Sequence, residues 1–76
     1  MNPEISKNCV WLDPDAIKPT DNQEVAFIDK VSPETIYKGS YIKSQDMFFI
    51  GFADVGNFRF SREILKWISL KDYQNG

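Results

Sequence analysis

The chain has 76 residues, of which 42% are hydrophobic, 14% aromatic and 26% charged, with a formal net charge of -2. That mixture is globular, since disordered chains run low in aromatics and high in net charge, and the length allows one small domain. There is no His and a single cysteine, Cys9, so an internal disulfide is excluded, zinc lacks its ligands and a Ser-His-Asp triad lacks its base.

Residues 1–8 read as a flexible N-terminal arm: Pro3, Glu4 and Lys7 break any apolar run that could serve as a signal peptide. A single β-rich domain over 9–71 follows. Cys9-Val10-Trp11-Leu12 is too short for a helix and fits an edge strand. Asp13 then caps one helical turn through Ile17, with Pro14 at the first helical position, and Pro19-Thr20-Asp21-Asn22 is a turn. Glu24 to Asp29 is the first full strand, punctuated by Val31-Ser32-Pro33-Glu34. Thr35 to Lys43 is the second. Period two sets Tyr37, Gly39 and Tyr41 on one face and Ile36 and Ile42 on the other, with Gly39 leaving room for a close approach or a bulge.

Lys43-Ser44-Gln45-Asp46 is a hairpin turn, and Met47 to Ala53 is a third strand, apolar on both faces and therefore central. Asp54 to Asn57 turns the chain into the short alternating strand Phe58-Arg59-Phe60. Ser61 to Leu65 reads as one helical turn or an irregular crossing. Lys66 to Leu70 is the closing strand, and 72–76 are a polar C-terminal tail. The predicted fold is mainly β, a small antiparallel meander of four to five strands with one or two single helical turns. It forms either a rolled sheet or an SH3-like small barrel.

Charge is unevenly placed. Residues 1–34 carry seven acids and three lysines, a balance of -4, whereas 35–76 carry four acids and six bases, a balance of +2. Such asymmetry suggests two differently charged faces, yet a duplex-binding protein needs a stronger basic stripe, so general duplex nucleic-acid binding is not expected. No stretch approaches the roughly 20 apolar residues of a membrane span. With one cysteine as well, a soluble cytoplasmic protein is expected.

The search for chemistry is short. The serines have no His base, and the carboxylates that pair in sequence (Asp13 with Asp15, Asp21 with Glu24) sit at a cap and a turn where acids are expected structurally. No glycine-rich phosphate loop is present. Neither enzymatic activity nor any metal or other cofactor is therefore expected. Trp11 and Trp67 read as rings that pack together to close the fold, with Pro19 and Val25 as further structural positions. Tyr37 and Tyr41 share a face and read either as half-buried packing or as contact surface. In Phe58-Arg59-Phe60-Ser61-Arg62, an Arg pair flanked by aromatics can stack on a base and clamp a phosphate. The same stretch is equally a strand with Phe58 and Phe60 inward and Arg59 outward.

The run from Trp11 through Pro19, Gln23 and Val25, together with the closing Lys66-Trp67-Ile68-Ser69-Leu70, resembles a domain family of unknown function found in small phage and prophage proteins. Those proteins open with Trp, place a Pro eight residues later, continue through a turn to Gln and an apolar strand, and close on a Trp-containing strand. Here Lys66 stands where the family commonly has His before the closing Trp, and Ser69 stands where it has Pro, so no role of that His carries over. The resemblance implies a phage or prophage accessory protein acting in the cytoplasm of a bacterial host.

The expected function is therefore a non-enzymatic protein that binds a host protein and inhibits or modulates it, in counter-defence or host takeover. Tyr37, Tyr41, Arg59 and Arg62 are its candidate contacts and Asp13, Asp15 and Asp21 its acidic rim. On this reading, replacing Arg59 or Tyr41 by Ala weakens capture of the partner and leaves stability intact. Two alternatives remain. One is an oligomeric binder that sequesters a linear or cyclic nucleotide between subunits, with Arg59 and Arg62 on phosphate; the other is a structural homo-oligomer.

Overall fold

The structure, a computed structural model, describes residues 10–51 and 57–75. The expected arm, Cys9 and the end of the third expected strand with most of its following turn lie outside the described residues. Five strands form one antiparallel sheet: β1 (Glu24–Asp29), β2 (Tyr37–Ile42), β3 (Met47–Ile50), β4 (Phe58–Phe60) and β5 (Ile64–Ser69). A 3-10 turn, Ser61–Glu63, joins β4 to β5, and a short helix, α1 (Leu70–Asn75), follows β5. The mainly β antiparallel fold expected from the alternation is the fold observed.

The spatial order is β4-β3-β2-β1-β5, so the first four strands are a meander and β5 returns to the far side of β1. In a flat sheet β4 and β5 would stand about 19 Å apart, at roughly 4.8 Å per strand. Three 3-10 residues advance only about 6 Å. The sheet must roll so that its two edge strands approach, and a cross-sheet bond records this. Arg59 Nε meets Asp29 Oδ2 at 3.0 Å although β2 and β3 lie between their strands.

Rolling creates an inner core of Val25, Phe27, Tyr41, Phe48, Ile64 and Trp67, against which Leu12, Tyr37 and Ile50 pack. A second cluster, Ala26, Ile68 and Leu70 with Trp11 and Tyr73, covers the outer face of β1 and β5. β1 is thus the strand buried on both sides, from Val25 to Asp29, whereas Phe49 and Ile50 of β3 are only half-buried.

Several expectations change. The two tryptophans belong to different clusters: Trp67 faces inward, while Trp11 meets Tyr73 on the outside, ring centroids 6.0 Å apart. Leu12 forms an isolated bridge to Trp67, not a full strand. Residues 72–75 fall in the expected polar C-terminal tail and are helical. They belong to α1, because Tyr73 and Leu70 find apolar surface on the outside of the sheet.

The face of β2 that carries Tyr37, Gly39 and Tyr41 is the core face, and Ile36 on the other side is 42% exposed. The inward tyrosines pack on the core rings, Tyr41 on Phe48 and Tyr37 on Phe27. Gly39 between them serves the pairing with β3, since a Cβ there would lie 1.7 Å from the Phe49 carbonyl oxygen.

Candidate interaction surface

In β4 the face assignment is the reverse of the strand with inward Phe side chains. Arg59 turns inward, and Phe58 and Phe60 are each 37% exposed. The inward turn has an electrostatic cause. Asp29 is fully buried at the end of β1, where its Oδ1 accepts the Ser32 amide at 2.6 Å and its Oδ2 takes Arg59 Nε. A buried carboxylate requires such a partner, and the bond to Asp29 holds the Arg59 guanidinium above its ordinary pKa. Arg59 is therefore a fastener across the rolled sheet, not a free contact.

Tyr41 is likewise internal, only 2% exposed. Its hydroxyl donates to Asp46 Oδ1 at 2.5 Å, and burial, followed by this bond, pushes the phenol up to about 12. The same bond, helped by Lys18, holds the Asp46 carboxyl below its usual value. Lys18 Nζ lies 3.4 Å from Asp46 Oδ1 and also donates to Ser61 Oγ. This cluster of Lys18, Tyr41, Asp46 and Ser61 ties the turn before β1 to the β2–β3 hairpin and the 3-10 turn. Its members are scattered along the chain, so no local spacing announced it. Lys18 thus pairs with Asp46 and donates to the buried Ser61, so the pair forms a clasp.

Two of the three rim acids hold backbone amides, Asp13 within its own turn and Asp21 across to the end of β2. Asp13 Oδ1 accepts the Asp15 amide at 2.9 Å, and Asp21 Oδ1 accepts the Lys43 amide at 2.9 Å. Asp15 is exposed. No described contact joins these acids to Arg59 or Arg62. The positions that carry the sequence resemblance are also fasteners. Trp67 Nε1 donates to Ile17 O at 2.8 Å, Gln23 Oε1 accepts the Thr20 amide at 2.8 Å, and Pro19 and Val25 are buried.

What the described residues leave uncovered is the outer face of β3 and β4. The register pairs Met47 with Phe60 and Phe49 with Phe58, which puts these side chains on one face. The Phe49 and Phe58 rings stand 5.9 Å apart, and Phe58 meets Phe60 edge-on at 5.5 Å. Arg62, exposed and making no salt bridge to a described residue, rests its guanidinium 4.7 Å from the Phe60 centroid. Lys38 lies on the same face of the sheet, over the Tyr73 ring at 5.7 Å.

The free backbone edge of β4 beside this patch is partly closed. Arg59 pairs with Phe48 in the ladder, so the backbone groups of Phe58 and Phe60 point away from β3. Phe58 O accepts Arg59 Nη1 at 2.9 Å and Phe60 N donates to Glu63 Oε1 at 2.8 Å. At the opposite edge, Leu12 occupies both backbone groups of Trp67, at 2.7 and 2.9 Å. Both edges thus carry devices that discourage strand addition, and what is left for contact is side-chain surface.

Among the described residues no group of three or more His, Cys, Asp or Glu could hold a metal ion, and no helix is long and apolar enough to cross a membrane. No family model, curated protein or solved structure matches the chain.

Proposed function

We propose that this protein is a non-enzymatic binding module that captures a protein partner on the outer face of β3 and β4. The observation that carries this reading is the exposed Phe58–Phe60 pair, extended by Phe49 and stacked by Arg62, which makes no salt bridge to a described residue. A small domain gains stability by burying large rings, so two adjacent half-exposed phenylalanines on one strand are surface spent on something other than its own core. Aromatic and Arg side chains in one patch are also the residue types that dominate interface energetics. Arg62 keeps its place among the contacts expected from sequence, and Phe58, Phe60 and Phe49 join it. Tyr41 and Arg59 act by holding the scaffold. The sequence resemblance adds a context for the module: a phage or prophage accessory in a bacterial cytoplasm, binding a host protein to inhibit or modulate it.

Capture from bacterial lysate with the wild type and with a Phe58→Ser/Phe60→Ser variant tests the reading. Proteins retained by the first and lost by the second, with the variant's thermal transition close to that of the wild type, are the expected result. An unchanged retained set with a folded variant overturns it.

A further inference from the structure

The outer face of the sheet is covered over half its width. α1 and Trp11 lie on Ala26 and Ile68, so the β1–β5 half has a helical layer supplied by the chain itself. The β3–β4 half presents the same kind of surface, Phe49, Phe58 and Phe60, with no described element on it. Its cations are Arg62, on the Phe60 ring, and Lys38, which stands at the border with α1 over Tyr73. Among the described strand residues, Glu24 is an acid on this face, opposite Ser40 on the β1 side of the patch. An extended partner segment would need the backbone edge of β4, where Phe58 O and Phe60 N are already taken. Contact must come through side chains laid across the strands.

Resting on the binding-module reading, we infer that the occupant is an acidic amphipathic helix of a partner protein. It would continue the layer begun by α1, with its apolar stripe on Phe49, Phe58 and Phe60 and a carboxylate taken by Arg62. A helix satisfies its own backbone and offers apolar residues at three- and four-residue spacing, which suits a sheet face whose edge is closed. A guanidinium already parked on an aromatic ring loses little freedom on meeting a carboxylate, and the ring contact keeps its plane available for a paired hydrogen bond.

The test sorts a display library of small helical scaffolds, one face randomised, against the full chain. The expected winners carry apolar residues at helical spacing flanked by Asp or Glu. Their binding falls about tenfold or more with Arg62→Glu, and changing their acids to Lys restores affinity for that variant. The inference is overturned by winners without acids, by winners indifferent to Arg62→Glu, or by binders that compete for the β4 edge through their own backbone amides. Preferential binding of oligothymidylate to the patch, or its occlusion by a second copy in sedimentation, overturns it equally. If lysate capture depends on Phe58 and Phe60 while acidic helices fail, only this inference falls. If Phe58→Ser/Phe60→Ser loses nothing in either assay, the surface itself is misassigned.

Discussion

Asp29 at the end of β1 and Arg59 in the middle of β4 meet at 3.0 Å across the interior of the rolled sheet, with β2 and β3 between their strands. The carboxylate side chain is 2% exposed and the guanidinium 35% exposed, so the pair is buried at one end and wet at the other. It is the longest-reaching polar link between the first strand and the fourth, and it determines which way β4 turns its side chains.

Removing the cation strands the buried carboxylate. Arg59→Ala is expected to cost about 2–3 kcal/mol, somewhat below the roughly 3–5 kcal/mol of a fully buried pair because Arg59 is partly solvated. Arg59→Lys should recover only part of this, since a lysine cannot hold Asp29 and the Phe58 carbonyl together. Urea denaturation of the three proteins measures it. A loss below about 1 kcal/mol for Arg59→Ala would show that water can replace the guanidinium.

Gly39 and Gly51 separate two reasons for glycine. At Gly39 the obstacle is space: the Phe49 carbonyl would be 1.7 Å from a Cβ. Gly39→Ala should therefore cost about 3 kcal/mol, as overpacking against backbone does. At Gly51 nothing lies within 4 Å and the obstacle is φ +83°. Gly51→Ala should cost about 1 kcal/mol, and Gly51→Asn less, because Asn tolerates the left-handed region. Thermal denaturation should rank them in that order, and the reverse ranking would contradict the β2–β3 approach described above.

Much of this architecture is legible in the residues. The apolar run within 24–29 and the alternation in 37–42 and 58–60 mark strands, and the turn residues between them mark the meander. What period two cannot say is which face is inside, because a strand carries the same alternation either way up. Tyr37 and Tyr41 against Ile36 and Ile42 is such a choice, and it is decided by the rings of Phe27 and Phe48 on neighbouring strands, on which the two tyrosines pack. Phe58 and Phe60 against Arg59 is another, decided by a carboxylate 30 residues upstream. α1 is six residues long, too short to show helical periodicity, and forms because tertiary contacts await Leu70 and Tyr73. Arg62 was visible as a candidate because aromatic-flanked arginines are recognisable locally. The clasp of Lys18 with Ser61 was not, since 43 residues separate them.

The Tyr41–Asp46 bond gives the fold a pH signature at both ends. Tyr41 is raised from 10.0 to about 12, so the folded state favours the protonated phenol. Its contribution is complete below pH 10 and is lost as pH rises through about 12. Asp46 is lowered from 3.8, so the unfolded chain takes up the proton first, and stability is lost as pH falls below that value. Tyr41→Phe should cost about 2 kcal/mol at neutral pH, the worth of a hydrogen bond to a charged acceptor. It should also flatten the decline between pH 10 and 12 relative to the wild type. Denaturant titrations at several pH values read both effects, and a variant that keeps the wild-type alkaline slope would show that the slope does not come from Tyr41.

Glu63 closes the β4 edge by accepting the Phe60 amide at 2.8 Å, beside two exposed phenylalanines. An unpaired amide on an edge strand with apolar neighbours is a template for strand addition. Glu63→Ala should therefore speed hydrogen exchange at the Phe60 amide and make the protein associate more strongly with concentration than the wild type. The stability loss should be about 1 kcal/mol, the usual worth of a side chain capping a backbone amide. Glu63→Gln keeps an acceptor at the same reach and should resemble the wild type in both measurements. Sedimentation velocity over a concentration series, read beside amide exchange, distinguishes the outcomes. If Glu63→Ala sediments like the wild type although its Phe60 amide is free, the Arg59 bond to the Phe58 carbonyl suffices to close the edge.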